Sequence, residues 1–257
     1  MLTPTEIARS LLAAGESKAR LPLGKMLLLA ILAGAYIALA GVGATAAAVT
    51  VESGSLAKLL SACVFPAGLS MVILAGSELF TGNCLMVMAL LERRITPAQL
   101  LRNWLTVYLG NAVGGAAVAA LAVYSHTASL FGDGLARSMV SIAESKAALG
   151  AGDAFLRGVL CNFLVCLAVW MAAASKRAEG KVIALFFPIL LFVLCGYEHC
   201  IANLYYLPAG AFAAAEYGME TTLTLVGCLK NLAAVTLGNL VGGAALGVGY
   251  RFAYLKE

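Results

Sequence analysis

Charge is scarce in this chain: lysine, arginine, aspartate and glutamate together make up 12% of 257 residues, about half the ~25% of an ordinary soluble domain. A soluble enzyme is excluded. Histidine is scarcer still, with only His126 and His199, which leaves too few imidazoles for a metal centre of three or four ligands. No run of lysine and arginine interleaved with aromatics is present, and the formal net charge is +4, so nucleic acid is excluded as a partner. What the chain has in abundance is apolar surface: 62% hydrophobic residues and a mean hydropathy of +0.93. Spread over the whole length, these residues must face lipid as well as one another, which makes this a polytopic protein of the lipid bilayer. Cys63, Cys84, Cys161, Cys166, Cys195, Cys200 and Cys228 lie mostly inside apolar runs and read as reduced, small hydrophobes. The first apolar run starts near Met26 and lasts about 23 residues, too long and too far along for a cleavable signal peptide.

Runs long enough to cross ~30 Å of hydrocarbon as helices fall near 26–48, 57–91, 101–125, 155–174, 182–212 and 225–250. The fold class is therefore all-α, with six transmembrane helices. The second and fifth runs are longer than a crossing needs, and each carries polar residues in its middle: Ser77, Glu78, Thr81 and Asn83 in one, Glu198, His199 and Asn203 in the other. Both read as broken helices. Twelve of the seventeen basic residues fall on one side of the membrane under this count: Arg9, Lys18, Arg20 and Lys25; Arg93, Arg94 and Arg102; Lys176, Arg177 and Lys181; Arg251 and Lys256. Lys58, Arg137, Lys146, Arg157 and Lys230 fall on the other. The positive-inside bias then places both termini in the cytoplasm, and the expected location is the bacterial inner membrane. Before the first span, Thr3-Pro4-Thr5-Glu6 offers an N-cap, a first-turn proline and a capping-box glutamate. An apolar stripe of Ile7, Leu11, Leu12 and Ala14 follows, which fits either an amphipathic helix on the membrane face or a helix packed on the protein. The chain divides into that helix (1–25), a three-helix unit (26–125), an extracytoplasmic connection (126–153) and a second three-helix unit (154–257), all within a single transmembrane domain.

The two units are copies. Gly76-Ser-Glu78-Leu-Phe-Thr-Gly-Asn83 matches Gly196-Tyr-Glu198-His-Cys-Ile-Ala-Asn203 as G-x-E-x-x-x-x-N, and Leu109–Ala116 matches Leu237–Ala244 with seven identities in eight positions. Three spans per copy is an odd number, so the second copy enters the membrane from the opposite face: an inverted repeat. Inverted halves with helices interrupted at matching positions form transport pathways, with the solute site near the midplane where the breaks meet. Gly110-x-x-x-Gly114 and Gly238-x-x-x-Gly242 supply small faces for close helix approach.

Polar groups at membrane depth need a partner or a watery path. Glu78 and Glu198 are expected to accept hydrogen bonds from the backbone N–H groups that a broken helix orphans; a proton-carrying Glu198 is the sharper alternative. His199 stands apart, because its repeat counterpart is Leu79 and symmetry alone does not call for it. An uncharged imidazole there donates one hydrogen bond, which suits an anion or its conjugate acid. Thr81, in the other break, can bond the local backbone or a passing solute. Phe65, Leu69, Leu79, Phe80 and Phe192 lie near the breaks and are candidates for apolar constrictions that exclude hydrated ions. His126 falls at the outer end of the third span and is read as solvated.

Gly76–Thr81, Gly196–Asn203, Cys161-Asn-Phe-Leu-Val-Cys-Leu-Ala-Val-Trp170 and Thr236-Leu-Gly-Asn-Leu-Val-Gly-Gly243 resemble the signatures of the formate/nitrite transporter family, in order and over nearly the whole chain. The resemblance implies an aquaporin-like fold, a homopentamer with one pore in each protomer, no cofactor and no enzymatic activity. It implies that His199 is the central pore histidine and Thr81 its companion threonine. Lys146 becomes the outer lysine, Asn162 and Asn239 pore asparagines, and Phe65, Leu69, Leu79, Phe80 and Phe192 the constrictions, with Glu198 beside the histidine. The implied solute is a small monovalent weak-acid anion with its proton. Leu207-Pro-Ala-Gly210 resembles the Pro-x-Gly of formate-type members, so formate is expected, with nitrite and hydrosulfide as alternatives. An intramembrane enzyme using His199, Glu198 and Cys200 is disfavoured because adjacent helical residues point about 100° apart. A channel for water or glycerol is the remaining rival, and the Glu-His pair argues against it.

Overall fold

The computed structural model describes residues 1–255, and among them every regular element is helical; Lys256, counted above with the basic side, lies outside the described residues. Helix α1 (Pro4–Ala19) begins as the sequence predicts. Thr3 Oγ1 accepts the Glu6 N–H and the Glu6 side chain reaches back to the Thr3 N–H at 2.7 Å, a complete capping box. Its apolar stripe is spent on protein: Ile7 and Ala8 are buried against Met88 and Trp170. Of the two readings of this helix, packing on the bundle is the one observed.

Helices α2 (Leu23–Ala48), α7 (Pro97–Tyr124), α9 (Ala151–Ala173) and α12 (Leu225–Tyr254) are long, apolar and continuous. They pack in two equivalent pairs, α2 along α7 and α9 along α12. Small residues make this possible. A Cβ on Gly114 would fall 2.0 Å from the Ile31 carbonyl oxygen, and one on Gly242 would fall 2.0 Å from that of Val159. Without a hydrophobic drive between helices in lipid, such backbone-to-backbone approach supplies the dispersion energy of association.

The two remaining apolar segments are interrupted. The first runs through α3 (Gly54–Val64) and α4 (Pro66–Ala75), breaks, and resumes as α5 (Phe80–Asn83), a 3₁₀ turn and α6 (Val87–Leu91). The second runs through α10 (Ala178–Leu194), breaks, and resumes as α11 (Cys200–Glu216). The breaks are made alike. Gly76 and Gly196 take φ of +79° and +69°, the left-handed region open to glycine. The chain then runs extended to Leu79 (φ −110°, ψ 123°) and His199 (φ −113°, ψ 112°), which start the second half-helices.

The opposed sense of the copies follows from which end of each helix meets which cavity. The start of α2, at Lys25, borders the same cavity as Ala172 and Ala173 at the end of α9. The end of α2, at Val49, and Arg157 in the first turns of α9 border the other. The duplication also reaches further than the spans at 26 and 154. Helix α8 (Gly134–Ala148) occupies much of the stretch read as a connection and packs on α11, as α1 packs on α6. Cys63 and Cys195 are exposed rather than buried, and all seven cysteines are free thiols.

Candidate functional site

The half-helices of the breaks leave polar backbone in the interior, and two asparagines of the neighbouring long helices satisfy it. Asn111 of α7 accepts the Phe80 N–H at 3.0 Å and donates to the carbonyls of Ala30 (2.7 Å) and Glu78 (2.9 Å). Asn239 of α12 accepts the Cys200 N–H at 2.9 Å and donates to the carbonyls of Gly158 (2.8 Å) and Glu198 (2.9 Å). This corrects the expectation that the glutamates satisfy the orphaned N–H groups. A side-chain amide can donate and accept at once, which a carboxylate cannot, so asparagine fits a break that exposes both groups.

The glutamates are instead ionic. Glu78 is bonded by Lys18 at 2.7 Å and by Asn83 Nδ2 at 2.7 Å, and the same Asn83 amide donates to Asn103 at 2.9 Å. Glu198 is bonded by Lys146 at 3.0 and 3.1 Å and by Asn203 Nδ2 at 2.7 Å, and that amide donates to Asn231 at 2.8 Å. Two Lys-Glu-Asn-Asn clusters thus face opposite cavities. The reading of the sequence left Lys18 and Asn111 without a role. The signal that finds Lys18 is Glu16-Ser-Lys-Ala19, repeated as Glu144-Ser-Lys-Ala147 at the same spacing that relates Asn103 to Asn231 and Asn111 to Asn239.

Between the clusters the two copies differ, His199 standing where the first copy has Leu79. His199 is 3% exposed and caps α11 with its own ring: Nδ1 accepts the Ala202 N–H at 3.1 Å. A nitrogen that accepts a backbone N–H carries no proton, so the remaining ring proton is assigned to Nε2. Nε2 faces Thr81 Oγ1 at 2.9 Å and donates to it. Thr81, fully buried, also has its carbonyl bonded by Asn162 Nδ2 at 3.2 Å and Cys166 Sγ at 3.3 Å. The imidazole is stacked on Phe192, ring centroids 5.8 Å apart, and Phe192 meets Phe65 edge-on at 5.6 Å.

A cavity of about 800 Å³ runs inward past Lys146 and Glu198 to end at Phe65, Phe192 and His199. A second, of about 550 Å³, runs from α1 past Lys18 and Glu78 to end at Leu69 and Leu79. They share no lining residue. The passage is therefore closed between an aromatic pair and a leucine pair, with the His199–Thr81 bond in the closure.

Four residues expected in the pore, Phe80, Thr81, Asn162 and Asn239, border neither cavity. The Phe80 ring lies 5.1 Å from that of Tyr108 and 6.4 Å from that of Trp104. Asn162 donates to the carbonyls of Thr81 and Asn239, and Asn239 is the clamp of the second break; neither borders a cavity. Both Nδ2 groups are used up on backbone carbonyls.

Set beside known proteins, residues 5–253 match the family described as formate/nitrite transporter. A "Probable formate transporter" of Methanothermobacter thermautotrophicus is 38% identical over 275 aligned residues, covering 99% of this chain and 98% of that protein. A solved structure described as an FNT family ion channel superposes with a TM-score of 0.87 at 32% identity, over 97% of this chain and 99% of that one. Another, a pentameric formate channel with formate bound, gives 0.81 at 33% identity, over 91% and 98%.

Proposed function

This chain belongs to the formate/nitrite transporter family, and on that premise we propose that it is a homopentameric membrane channel in which each protomer passes formate, as the neutral acid, through its own closure between the two cavities. The observation that carries the reading is the His199–Thr81 hydrogen bond, set between the Phe65–Phe192 pair and the Leu69–Leu79 pair. An ion forced through such a closure forfeits its hydration at a cost of several kcal/mol. Low dielectric raises the pKa of a carboxylic acid, so the anion takes up a proton from water at the mouth of the closure and sheds it on the far side. Thr81 Oγ1 accepts from His199, which leaves its own proton free to bond the solute. His199 offers Nε2–H and replaces part of the lost hydration. Because Nδ1 is committed to the Ala202 N–H, the ring serves as a donor of hydrogen bonds and not as the proton carrier. The Lys146–Glu198 and Lys18–Glu78 pairs hold the two mouths in shape.

Formate is preferred over nitrite and hydrosulfide because the similar proteins are named for formate. The solute leaves as it arrived, so the role is passage and not enzymatic turnover. The membrane is the bacterial inner one, with both termini cytoplasmic: the twelve basic residues of the richer side include Lys18, Lys25 and Lys181, which border the cavity at α1.

Reconstitution into liposomes tests this directly, with uptake of formate, nitrite, hydrosulfide and glycerol followed across a pH series. Saturable formate flux that disappears in His199→Ala is expected. Glycerol flux without anion-linked flux overturns the solute class, and unchanged flux in His199→Ala overturns the role of the ring. Labelling of cysteines placed at 176–181 by an impermeant reagent from outside the cell overturns the orientation.

A further inference from the structure

Each lysine at the inner end of a cavity is neutralised where it stands. Lys146 gives both its bonds to Glu198, and Lys18 is bound to Glu78. To an approaching anion such a pair presents a dipole and no net charge. The cavity at Lys146 nevertheless carries three more cations, Lys58, Arg137 and Arg157, and Glu198 is the sole acid on its wall. Lys58 of α3 and Arg157 of α9 flank the second break: a Cβ on Gly196 would lie 3.9 Å from Lys58 Nζ, and the Arg157 carbonyl accepts the Glu198 N–H at 3.3 Å. Lys58 is within electrostatic reach of Lys146, of Glu198, which is already paired with Lys146, and of Arg157. Neither the Lys58 nor the Arg157 side chain makes a hydrogen bond or ion pair among the described residues. Arg137 donates to the Gly132 carbonyl at 2.6 Å, which leaves its charge uncompensated.

Four cations against a single carboxylate in a concave wall, partly lined by Phe65, Phe131 and Phe192, leave an excess of positive charge and focus a positive potential into the cavity. A mobile anion offsets that excess. We infer that Lys58 and Arg157, with Arg137 on the same cavity wall, form an anion-binding station in the outer cavity, separate from the His199–Thr81 closure, that takes small doubly charged oxyanions in preference to monovalent ones. A dianion gains twice from the same field. The cavity of about 800 Å³ has room for one, while the closure at Phe65 and Phe192 stops it, so a dianion arriving from outside occupies the station and obstructs the passage. The inference of a block rests on the proposed passage; the binding does not.

Sulfate is the probe. Equilibrium binding of radiolabelled sulfate to the purified protein in detergent, at low ionic strength where the Debye length exceeds ~10 Å, is compared with Lys58→Gln/Arg157→Gln. About tenfold weaker binding is expected in the double variant, with Lys58→Arg/Arg157→Lys close to wild type. In proteoliposomes at constant ionic strength, external sulfate lowers formate uptake, and the half-blocking concentration rises in the Gln pair by the factor seen in binding. The block persists in Lys25→Gln/Lys181→Gln, which alters the other cavity. Equal sulfate binding by wild type and the Gln pair, absence of binding at low ionic strength, or equal loss in the charge-conserving pair overturns the station. Sulfate binding as described, with no formate flux in any of the proteins, leaves the station standing and removes the channel reading instead.

Discussion

His199 Nε2 and Thr81 Oγ1 meet at 2.9 Å across the two breaks, and the bond has a fixed direction because His199 Nδ1 is held by the Ala202 N–H. Capping and solute contact are thereby divided between the two ring nitrogens. Asparagine is a good N-cap but too short to reach Thr81, so His199→Asn separates the roles. It is expected to keep the thermal stability of the wild type in detergent while losing formate flux. His199→Ala loses both, with about 1 kcal/mol of stability gone with the cap. Wild-type flux in His199→Asn counts against the donor role of Nε2.

Asn111 and Asn239 each satisfy two backbone groups of a break and donate to a third carbonyl, that of Ala30 or Gly158, in a neighbouring long helix. Leucine has nearly the same shape and none of the hydrogen-bonding capacity. At about 1–3 kcal/mol for each of the two break groups left unpaired, Asn111→Leu and Asn239→Leu are expected to cost at least ~2 kcal/mol apiece. Unfolding of the purified variants checks it. A loss at one position only would show that the two clamps are not equivalent.

The Lys146–Glu198 pair is nearly buried, with side chains 15% and 8% exposed, whereas Lys18 is 30% exposed against Glu78 at 7%. Removing one partner of a buried pair strands the other charge, at about 3–5 kcal/mol, while replacing both with neutral groups costs far less. Lys146→Met and Glu198→Gln are each expected to destabilise more than the double variant does. The same cycle at Lys18 and Glu78 gives a smaller coupling, because solvent reaches that ammonium. Additive effects at Lys146 and Glu198 would contradict a buried ion pair.

What could be read from the sequence was local or repeated. The capping box of Thr3 and Glu6 lies within four residues, and the breaks announce themselves as polar residues and glycine in long apolar runs. The partners of the breaks are distant: Asn111 lies 31 residues from Phe80 and Asn239 39 from Cys200, and no periodicity connects them. The Phe80 ring departs from the direction of its neighbour Thr81 for a reason of geometry. Consecutive residues of a helix diverge by about 100°, so a turn that aims Thr81 at His199 sends Phe80 toward Trp104 and Tyr108. Lys18 was legible, but only through a repeat traced beyond the membrane spans.

Glu144, at the surface end of α8, accepts the Thr221 hydroxyl at 2.8 Å and the Thr222 N–H at 2.7 Å. The backbone bond from Thr222, and then the hydroxyl of Thr221, hold its carboxyl below the ordinary glutamate value. A depressed folded-state pKa means that the tie is fully present above the ordinary value, ~4.3, and is lost as pH falls through the lower, folded one. Hydrogen exchange at the Thr222 amide is expected to be slow at neutral pH and to quicken, relative to its intrinsic rate, only below that range. In Glu144→Ala, which removes the acceptor, it is fast throughout. A protection step centred near neutral pH would point to some other group.

On the proposed passage, the aromatic side of the closure is the part that refuses hydrated ions. Phe192 stacks on His199 and meets Phe65 edge-on, so truncating either ring opens the space between the cavity of about 800 Å³ and the imidazole. Phe→Ala in a packed interior costs about 3–5 kcal/mol, and in lipid the opened space fills with water from the cavity because His199 and Thr81 supply polar partners. Hydrated chloride can then pass without shedding its shell. Phe65→Ala and Phe192→Ala are expected to raise chloride conductance in planar bilayers well above the wild-type baseline, and formate flux should become less dependent on acid pH as the charged form gains a wet path. Phe80→Ala serves as the contrast, since that ring packs on Trp104 and Tyr108. It should lower stability and leave chloride excluded. A chloride leak in Phe80→Ala with none in Phe65→Ala or Phe192→Ala would place the barrier on the wrong side of the fold.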